Sequence, residues 1–234
     1  MSKRAIYARI NGAEYALCTP LGITNPDTNI EESGYSDTMV KLLFEGEMRT
    51  LKQLGAFKKD FEVFAEENGV KLADWRVNDE QAILGQFVDM KALPGDVPLH
   101  SEMFLATRLL DCRSDAPREK KFTGTDELGP ADDLLSQTIH AFLHFTMRAS
   151  KGSLVFCDIQ AMHNRDMIWT VFNPQCHTVP SYPDLYHQWN QGVNGYDKIA
   201  TAHKAVCAEN PICQALALAT LDVEDMSEEE YEET

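Results

Sequence analysis

Residues 154–160 read Leu154-Val155-Phe156-Cys157-Asp158-Ile159-Gln160. An unbroken apolar run that ends on an acid predicts a buried strand delivering a carboxylate at its tip. Strand alternation then predicts Asp158 and Gln160 on one face. An acid and an amide emerging together can serve as base and metal ligand, since hard cations such as Mg²⁺ take oxygen donors. The plainer reading is a strand-end Asp that accepts turn hydrogen bonds. The Lys151-Gly152 turn leads in, and Met167-Ile168-Trp169-Thr170-Val171-Phe172 predicts a second strand. Together they form a hairpin around His163-Asn164-Arg165-Asp166, with Asn173 at its exit placed to face Asp158 across the pair.

Working outward, Ser136 to Ala149 has a helical apolar pattern through Ile139, Ala141, Phe142, Leu143 and Phe145. Residues 111–133 are polar and turn-rich and predict a lobe connection. Beyond the hairpin, prolines 174, 180 and 183 break the chain, and Gly195 to Leu221 is mostly helical with an interruption near Pro211. Upstream, Arg4 to Ile10 and Ala13 to Cys18 alternate on either side of Asn11-Gly12, a hairpin signal. Residues 20–37 predict a long loop, and Thr38 to Asn68 a long helix stopped by Gly69. Trp75 to Leu105 predicts short strands, a Pro94-Gly95 turn and a short helix.

Three ligand-type residues fall close together near the end: His203, Cys207 and Cys213. The first two lie four apart, on one helix face. A structural Zn²⁺ is tetrahedral and needs a fourth ligand. His144 offers one, because an imidazole inside Ala141-Phe142-Leu143-His144-Phe145 is costly without a partner. His140, one turn earlier, is the alternative fourth ligand. Spacing alone leaves open a pair of buried free thiols with a satisfied core histidine. The loop Asn190-Gln191-Gly192-Val193-Asn194-Gly195 precedes a helix, where backbone N–H groups can meet an anion, although from the residues alone a plain loop is the better reading.

Composition bounds the function. The 234 residues carry a net charge of −16 and 44% hydrophobic residues. A chain this acidic lacks the basic footprint of nucleic-acid binding, and no apolar run approaches the ~20 residues of a membrane span. With no signal-peptide pattern at Met1-Ser2-Lys3-Arg4, and six scattered cysteines, the expectation is a cytoplasmic protein with reduced thiols. Eight carboxylates and no base lie in Asp222–Thr234, and without them the charge halves to −8. Such a run is expected to be a disordered tail.

The order of motifs carries a resemblance. Ala141-Phe142-Leu143-His144-Phe145-Thr146, Leu154 to Gln160, Asn173-Pro174-Gln175-Cys176-His177-Thr178, Asn190-x-Gly192-x-x-Gly195, and His203 with Cys207 and Cys213 followed by Leu216-x-Leu218 form one series. This series resembles the C-terminal lobe of the alpha-kinase family of atypical Ser/Thr protein kinases, over about residues 136–218. Lys121-Phe122-Thr123-Gly124-Thr125 is similar to a segment of its fungal-type members. The first 100 residues match loosely, through Arg4, Ala8 and Glu47-Met48-Arg49-Thr50-Leu51.

The resemblance implies an α+β, two-lobed atypical protein-kinase-like fold. Its lobes would be 1–110, β-rich with a long helix, and 111–221, with the hairpin and a structural zinc site, followed by the tail 222–234. It implies zinc on His144, His203, Cys207 and Cys213, although the ligand spacing is longer than the family's. An alternative register moves Cys207 into the histidine position and puts Glu209 at a cysteine position. Asp158 is implied as catalytic and Gln160 as a metal ligand also engaged in catalysis. Asn173 stands where the family has a metal-binding Asp, and Ala161 where it has Gly. Gly192, Gly195 and Arg4 are implied at the nucleotide or substrate. The family's nucleotide lysine falls on Cys18, and its adenine-contacting Glu falls near Ala106-Thr107, so both look lost; Lys41 is the nearest other lysine, in the wrong context. These losses argue against Mg-ATP and favour a pseudokinase or weak kinase acting as a regulatory or binding module. The alternatives are an active Ser/Thr kinase using Asp158 and Mg-ATP, or other phosphoryl- or nucleotide-dependent chemistry on the same fold. The implied partner is a protein, with basic character suggested by the acidic surface, and the acidic tail is a candidate competitor for the substrate groove.

Overall fold

The computed structural model describes residues 3–24, 31–32, 34–89, 99–110, 118–163, 168–180 and 190–218. The tail 222–234, Cys112, the Pro94-Gly95 turn and the hairpin tip 164–167 lie outside the described residues.

The chain opens with strands β1 (Lys3–Ile10) and β2 (Ala13–Pro20), paired antiparallel with Lys3 opposite Pro20 and Ala5 opposite Cys18. Asn11 and Gly12 both take positive φ, at 50° and 80°, as a tight two-residue hairpin turn requires. Two-residue strands β3 (Ile23–Thr24) and β4 (Glu31–Glu32) pair with each other. Helix α1 (Asp37–Glu67) follows, with Ser36 Oγ accepting from the Met39 N–H at its start. It ends as Gly69 turns into the left-handed region at φ 67°.

Strands β5 (Trp75–Val77), β6 (Ile83–Gln86) and β7 (Met103–Arg108) come next. Among the described residues this stretch holds no helix. β8 (Arg118–Lys121) precedes α2 (Leu134–Ala149), whose N-cap Asp133 accepts from the Ser136 N–H. The remainder is β9 (Leu154–Cys157), β10 (Gln160–His163), β11 (Trp169–Phe172), β12 (Gln175–Thr178), α3 (Gly192–Cys207) and the short α4 (Pro211–Ala215).

Two four-stranded sheets organise the fold, in the orders β1-β2-β7-β6 and β5-β11-β10-β8, with β12-β9 as a separate pair. The α+β, two-lobed expectation holds. The boundary at 110 needs amending, because β5 runs parallel to β11 and so joins the sheet of the second lobe. α1 also serves both lobes. Val40, Leu43 and Phe44 pack with Met103 and Leu105 of β7, while Leu54, Phe61 and Ala65 enter the large core with α2, β9 and α3. At about 1.5 Å per residue this single helix is about 46 Å long, enough to cross a small domain.

The main core is aromatic. The Phe142 ring stands edge-on to Trp75 at 5.3 Å and to Phe61 at 5.8 Å, and stacks on Phe156 at 5.9 Å. All four side chains are fully buried. These contacts seat α2 on β9 and thereby fix the two elements that carry His144 and Asp158. No helix among the described residues is long and apolar enough to cross a membrane.

Candidate functional site

The expected strand of residues 154–160 is not continuous. β9 stops at Cys157 and β10 starts at Gln160, and Asp158 between them has φ 48°. On the partner side β11 stops at Phe172, β12 starts at Gln175, and Asn173 has φ 50°. Cys157 pairs with Gln175 and Gln160 with Phe172, so both halves keep one register. The four strands are one long hairpin bent at its middle, with both bends in the left-handed region. Asp and Asn tolerate that region better than other non-glycine residues, which explains why an acid and an amide occupy these positions. In this register Asn173 lies opposite Ile159, one residue from the expected partner Asp158.

The bend is held from outside. The Asp158 N–H donates to the Gly124 carbonyl at 2.8 Å and the Ile159 N–H to Thr123 Oγ1 at 2.9 Å. The same strap brings in a cation that the sequence did not signal: Lys121 Nζ lies 2.6 Å from Asp158 Oδ1. Lys121 is also the cross-strand partner of Gln160, and directly opposite residues share a sheet face. Asp158, Gln160 and Lys121 therefore gather on one side of the bend. The alternation argument for Asp158 and Gln160 fails as stated, because the kink interrupts the strand.

Above the bend lies a cleft of about 390 Å³ between the two lobes. β1 and β2 line it with Lys3, Ala5, Ala16 and Cys18, α1 with Glu47 and Leu51, and the hairpin with Met162, Phe172, Asn173 and Pro174. Cys18 is thus in the cleft wall. Burial pushes its thiol up from the ordinary value, with Lys3 opposing and Glu47 adding to the shift. Lys3 Nζ donates to Glu47 Oε2 and to Asn173 Oδ1, each at 2.7 Å. Arg4 is not among the cleft-lining residues, because alternation turns it to the opposite face of β1. Of Ala106 and Thr107, where the adenine-contacting Glu was expected, Thr107 lines the cleft, together with Arg108.

Gly192 and Gly195 are not in the lining of this cleft. α3 starts at Gly192, three residues earlier than expected, with φ 61°. The Gly192 N–H donates to Asn190 Oδ1 at 2.8 Å and the Gln191 N–H to His177 Nδ1 at 3.1 Å, so both amides are already engaged. A Cβ on Gly195 would sit 2.5 Å from the His177 ring, which makes that glycine a packing requirement. With Nδ1 accepting, His177 Nε2 carries the proton and donates to the Thr125 carbonyl. Burial lowers the His177 pKa, and the Thr125 bond works against that. His177 ties α3 to the strap behind Asp158; in the sequence it stands within the Asn173–Thr178 motif of the resemblance, with no role assigned to it.

The second constellation lies where α2, α3 and α4 meet. The ligand atoms of His144, His203, Cys207 and Cys213 all lie within 4.8 Å of one another, and all four residues are buried. Cys207 Sγ is 3.3 Å from His144 Nδ1 and Cys213 Sγ is 3.7 Å from His203 Nε2. Tetrahedral zinc with ordinary bond lengths sets N···S edges of roughly 3.5 Å, so the donor set fits that ion. Burial, then His144 and His140 nearby, push His203 down to about 3, and a neutral imidazole is the form that binds metal.

Local structure explains the unusual spacing. Asn210 caps α4 by accepting from the Ile212 and Cys213 N–H groups, and its amide donates to the Gln137 carbonyl of α2. Pro211 at the first turn helps bend the chain so that Cys213 returns to His203. His140 is buried but lines a separate cavity of about 520 Å³ with Asp126, Glu127 and Glu209. Glu209 is exposed and stands apart from the cluster. The register with His203 as ligand is therefore the one the geometry supports.

Residues 48–213 match the model of the alpha-kinase family. Among solved structures, the fold is similar to the alpha-kinase domain of myosin-II heavy chain kinase A with a phosphorylated aspartate. That match has 19% identity and a TM-score of 0.56, covering 90% of this chain and 66% of that one. It is also similar to a C-terminally truncated alpha-kinase domain of myosin heavy chain kinase, at 20% identity and a TM-score of 0.56 over 90% and 67%. A third likeness is the myosin heavy chain kinase A domain in complex with ADP, at 19% identity and 0.55, over 90% and 67%. No curated protein sequence matches the chain. At these identities the structural likeness is one of fold, and the chain spans 66% of the length of the first of these domains. The family match itself takes in Asp158, Gln160, Asn173 and all four residues of the histidine–cysteine cluster, and the chain belongs to the alpha-kinase family.

Proposed function

We propose that this domain binds ATP in the cleft between its lobes and acts as a regulatory module with weak phosphoryl transfer to a protein hydroxyl. One observation carries the reading: the two oxygens at the bend best suited to chemistry are already engaged. Asp158 Oδ1 is paired with Lys121, and Asn173 Oδ1 accepts from Lys3. Gln160 adds a neutral amide. A hard divalent cation prefers carboxylates and waters, so this donor set fits Mg²⁺ poorly. Phosphoryl transfer depends on positioning and charge neutralisation; an occupied base and a missing metal carboxylate weaken both. The acidic body favours a basic protein segment as partner.

The histidine–cysteine cluster is read as a zinc site. Four protein ligands leave no open position, so the ion would be structural, joining α2, α3 and α4.

Thermal shift with ATP and radiolabel transfer to a basic protein test the reading. The expected outcome is a raised unfolding midpoint with ATP, since a ligand of the folded state alone must stabilise it. Transfer is expected to be slow and to be abolished in Asp158→Ala. Turnover on the order of 1–100 s⁻¹, the usual kinase range, abolished in the same variant, replaces it with an active Ser/Thr kinase. No shift at millimolar ATP overturns nucleotide binding.

A further inference from the structure

The cavity that His140 lines is separate from the cleft between the lobes: the two share no described lining residue. Its volume of about 520 Å³ is within the range of ligand pockets. Its walls are held in place. In the strap ahead of α2, the Gly124 N–H donates to the Glu127 carbonyl and the Gly129 N–H to the Phe122 carbonyl, each at 2.8 Å. Across from the strap, the turn between α3 and α4 is pinned to α2, because the Asn210 amide donates to the Gln137 carbonyl at 2.9 Å.

The floor carries an unmet demand. His140 is 1% exposed, and neither of its ring nitrogens has a hydrogen-bond partner in the protein. Burial lowers its pKa, and the Phe122 carbonyl nearby works against that without completing a hydrogen bond. A neutral imidazole has one donor and one acceptor, and leaving them unmade in a buried site is costly. The rim supplies charge. Asp126, Glu127 and Glu209 line the opening, and no lysine or arginine is among the described lining residues. Asp126 already holds Lys198 Nζ at 2.6 Å, so the exposed Glu127 and Glu209 are the carboxylates left to meet a ligand.

These features select the ligand. The carboxylates call for a cation. A metal ion is not that cation, because among the described residues three or more ligating side chains converge only at His144, His203, Cys207 and Cys213. The ligand must instead reach two levels, an acid rim and an imidazole acceptor below it, past apolar Leu128, Pro130, Ala202 and Val206. A guanidinium does this: it spreads five N–H donors over a planar fork at the end of an apolar stem, where an ammonium is a compact point charge.

We infer that this cavity is a docking pocket for an arginine side chain of a basic protein segment, with Glu127 and Glu209 receiving the charge and His140 accepting at the floor. This rests on the reading of the partner as basic and not on the nucleotide. NMR titration of the full chain at low salt tests it, using an end-blocked peptide with one arginine between glycines and the same peptide with citrulline, which is uncharged. The arginine peptide is expected to shift the His140 ring signals and to bind about tenfold tighter than its citrulline counterpart, the range of a charge-assisted hydrogen bond. Glu127→Gln/Glu209→Gln and His140→Leu are each expected to weaken it about tenfold. His140→Leu should melt no lower than the unaltered chain, since it removes an unpartnered buried polar group. If it melts lower, its loss of binding is structural and the exposed carboxylate variant alone decides.

Equal binding of the arginine and citrulline peptides overturns the inference. If the arginine peptide binds both variants as it binds the unaltered chain, the pocket assignment fails and the basic partner stands. The same holds if the peptide does not bind while the chain labels the basic protein of the transfer assay. If the chain neither binds the peptide nor engages that protein, the basic-partner reading fails and takes this inference with it.

Discussion

The cleft and the histidine–cysteine cluster depart from their family pattern in opposite ways. In the cluster the residue types survive while the spacing changes: His203, Cys207 and Cys213 are spread out, yet their ligand atoms converge with His144 to within 4.8 Å. In the cleft the residue types change, with Cys18 and Asn173 standing where the resemblance implied a lysine and an aspartate. A metal constrains which atoms meet: one helical turn of α3 sets His203 and Cys207 on one face, and the turn between α3 and α4 takes the longer spacing between the cysteines, with Asn210 and Pro211 bringing Cys213 back. Spacing is thus the weaker signal at a metal centre.

The contrast can be broken most decisively at the cluster. Cys213→Ala, or a strong chelator, is expected to release about one zinc per chain. The destabilisation should be at least about 3 kcal/mol, because structural metal binding is folding free energy. For a chain of this size that corresponds to a fall in melting temperature of roughly 10 °C. Elemental analysis and calorimetry would check it; a metal-free chain that melts unchanged removes the cluster from the comparison.

A smaller effect sits on a pair of adjacent lysines that serve the two regions separately. Lys120 Nζ lies 2.5 Å from Asp133 Oδ2, at the cap of the helix that carries His144. Lys121 reaches Asp158. Burial favours protonation of Asp133, but the Lys120 ammonium and the Ser136 N–H and hydroxyl overcome it and hold the carboxyl down to about 2. The folded chain therefore binds this proton less readily than the unfolded one. Its stabilisation is present above the ordinary value of 3.8 and is lost as pH falls toward about 2. Asp133→Ala should cost about 1 kcal/mol, typical of an N-cap, and should flatten the stability profile across that window. ATP affinity is expected to stay unchanged; a loss there would show that the two regions are coupled through β8.

The smallest expected effect is at the bend. Lys121→Ala releases Asp158 and should raise phosphoryl transfer a few-fold, roughly 0.5–1 kcal/mol of barrier, with ATP affinity unaltered. Initial rates against Asp158→Ala measure it. A fall in rate would mean that Lys121 assists the reaction and that the pairing is productive.

Local signals were legible in advance. The Asn11-Gly12 turn, the periodic apolar face of α1, the capped apolar run of α2 and the four ligands all depend on residues near one another or on strong residue chemistry. What stayed hidden depends on pairing between distant segments. Nothing in Trp75-Arg76-Val77 announces that β5 joins the sheet of the second lobe. β12 follows Pro174, where the prolines predict a broken segment, so the sequence shows the hairpin but not its continuation through β12 to pair with β9. Lys3 reads as an ordinary terminal lysine until the β1–β2 register sets it beside Glu47 and Asn173. Lys121 reads as part of a loop segment until β8 pairs with β10.

α1 runs without interruption from the first lobe into the core of the second. Its middle turns hold Glu47 against Lys3 and place Thr50 Oγ1 3.7 Å from Cys176 Sγ of β12. A continuous rod anchored at both ends acts as a spacer bar: it sets the gauge of the cleft, so the lobes cannot part like jaws without breaking a helix or emptying a core.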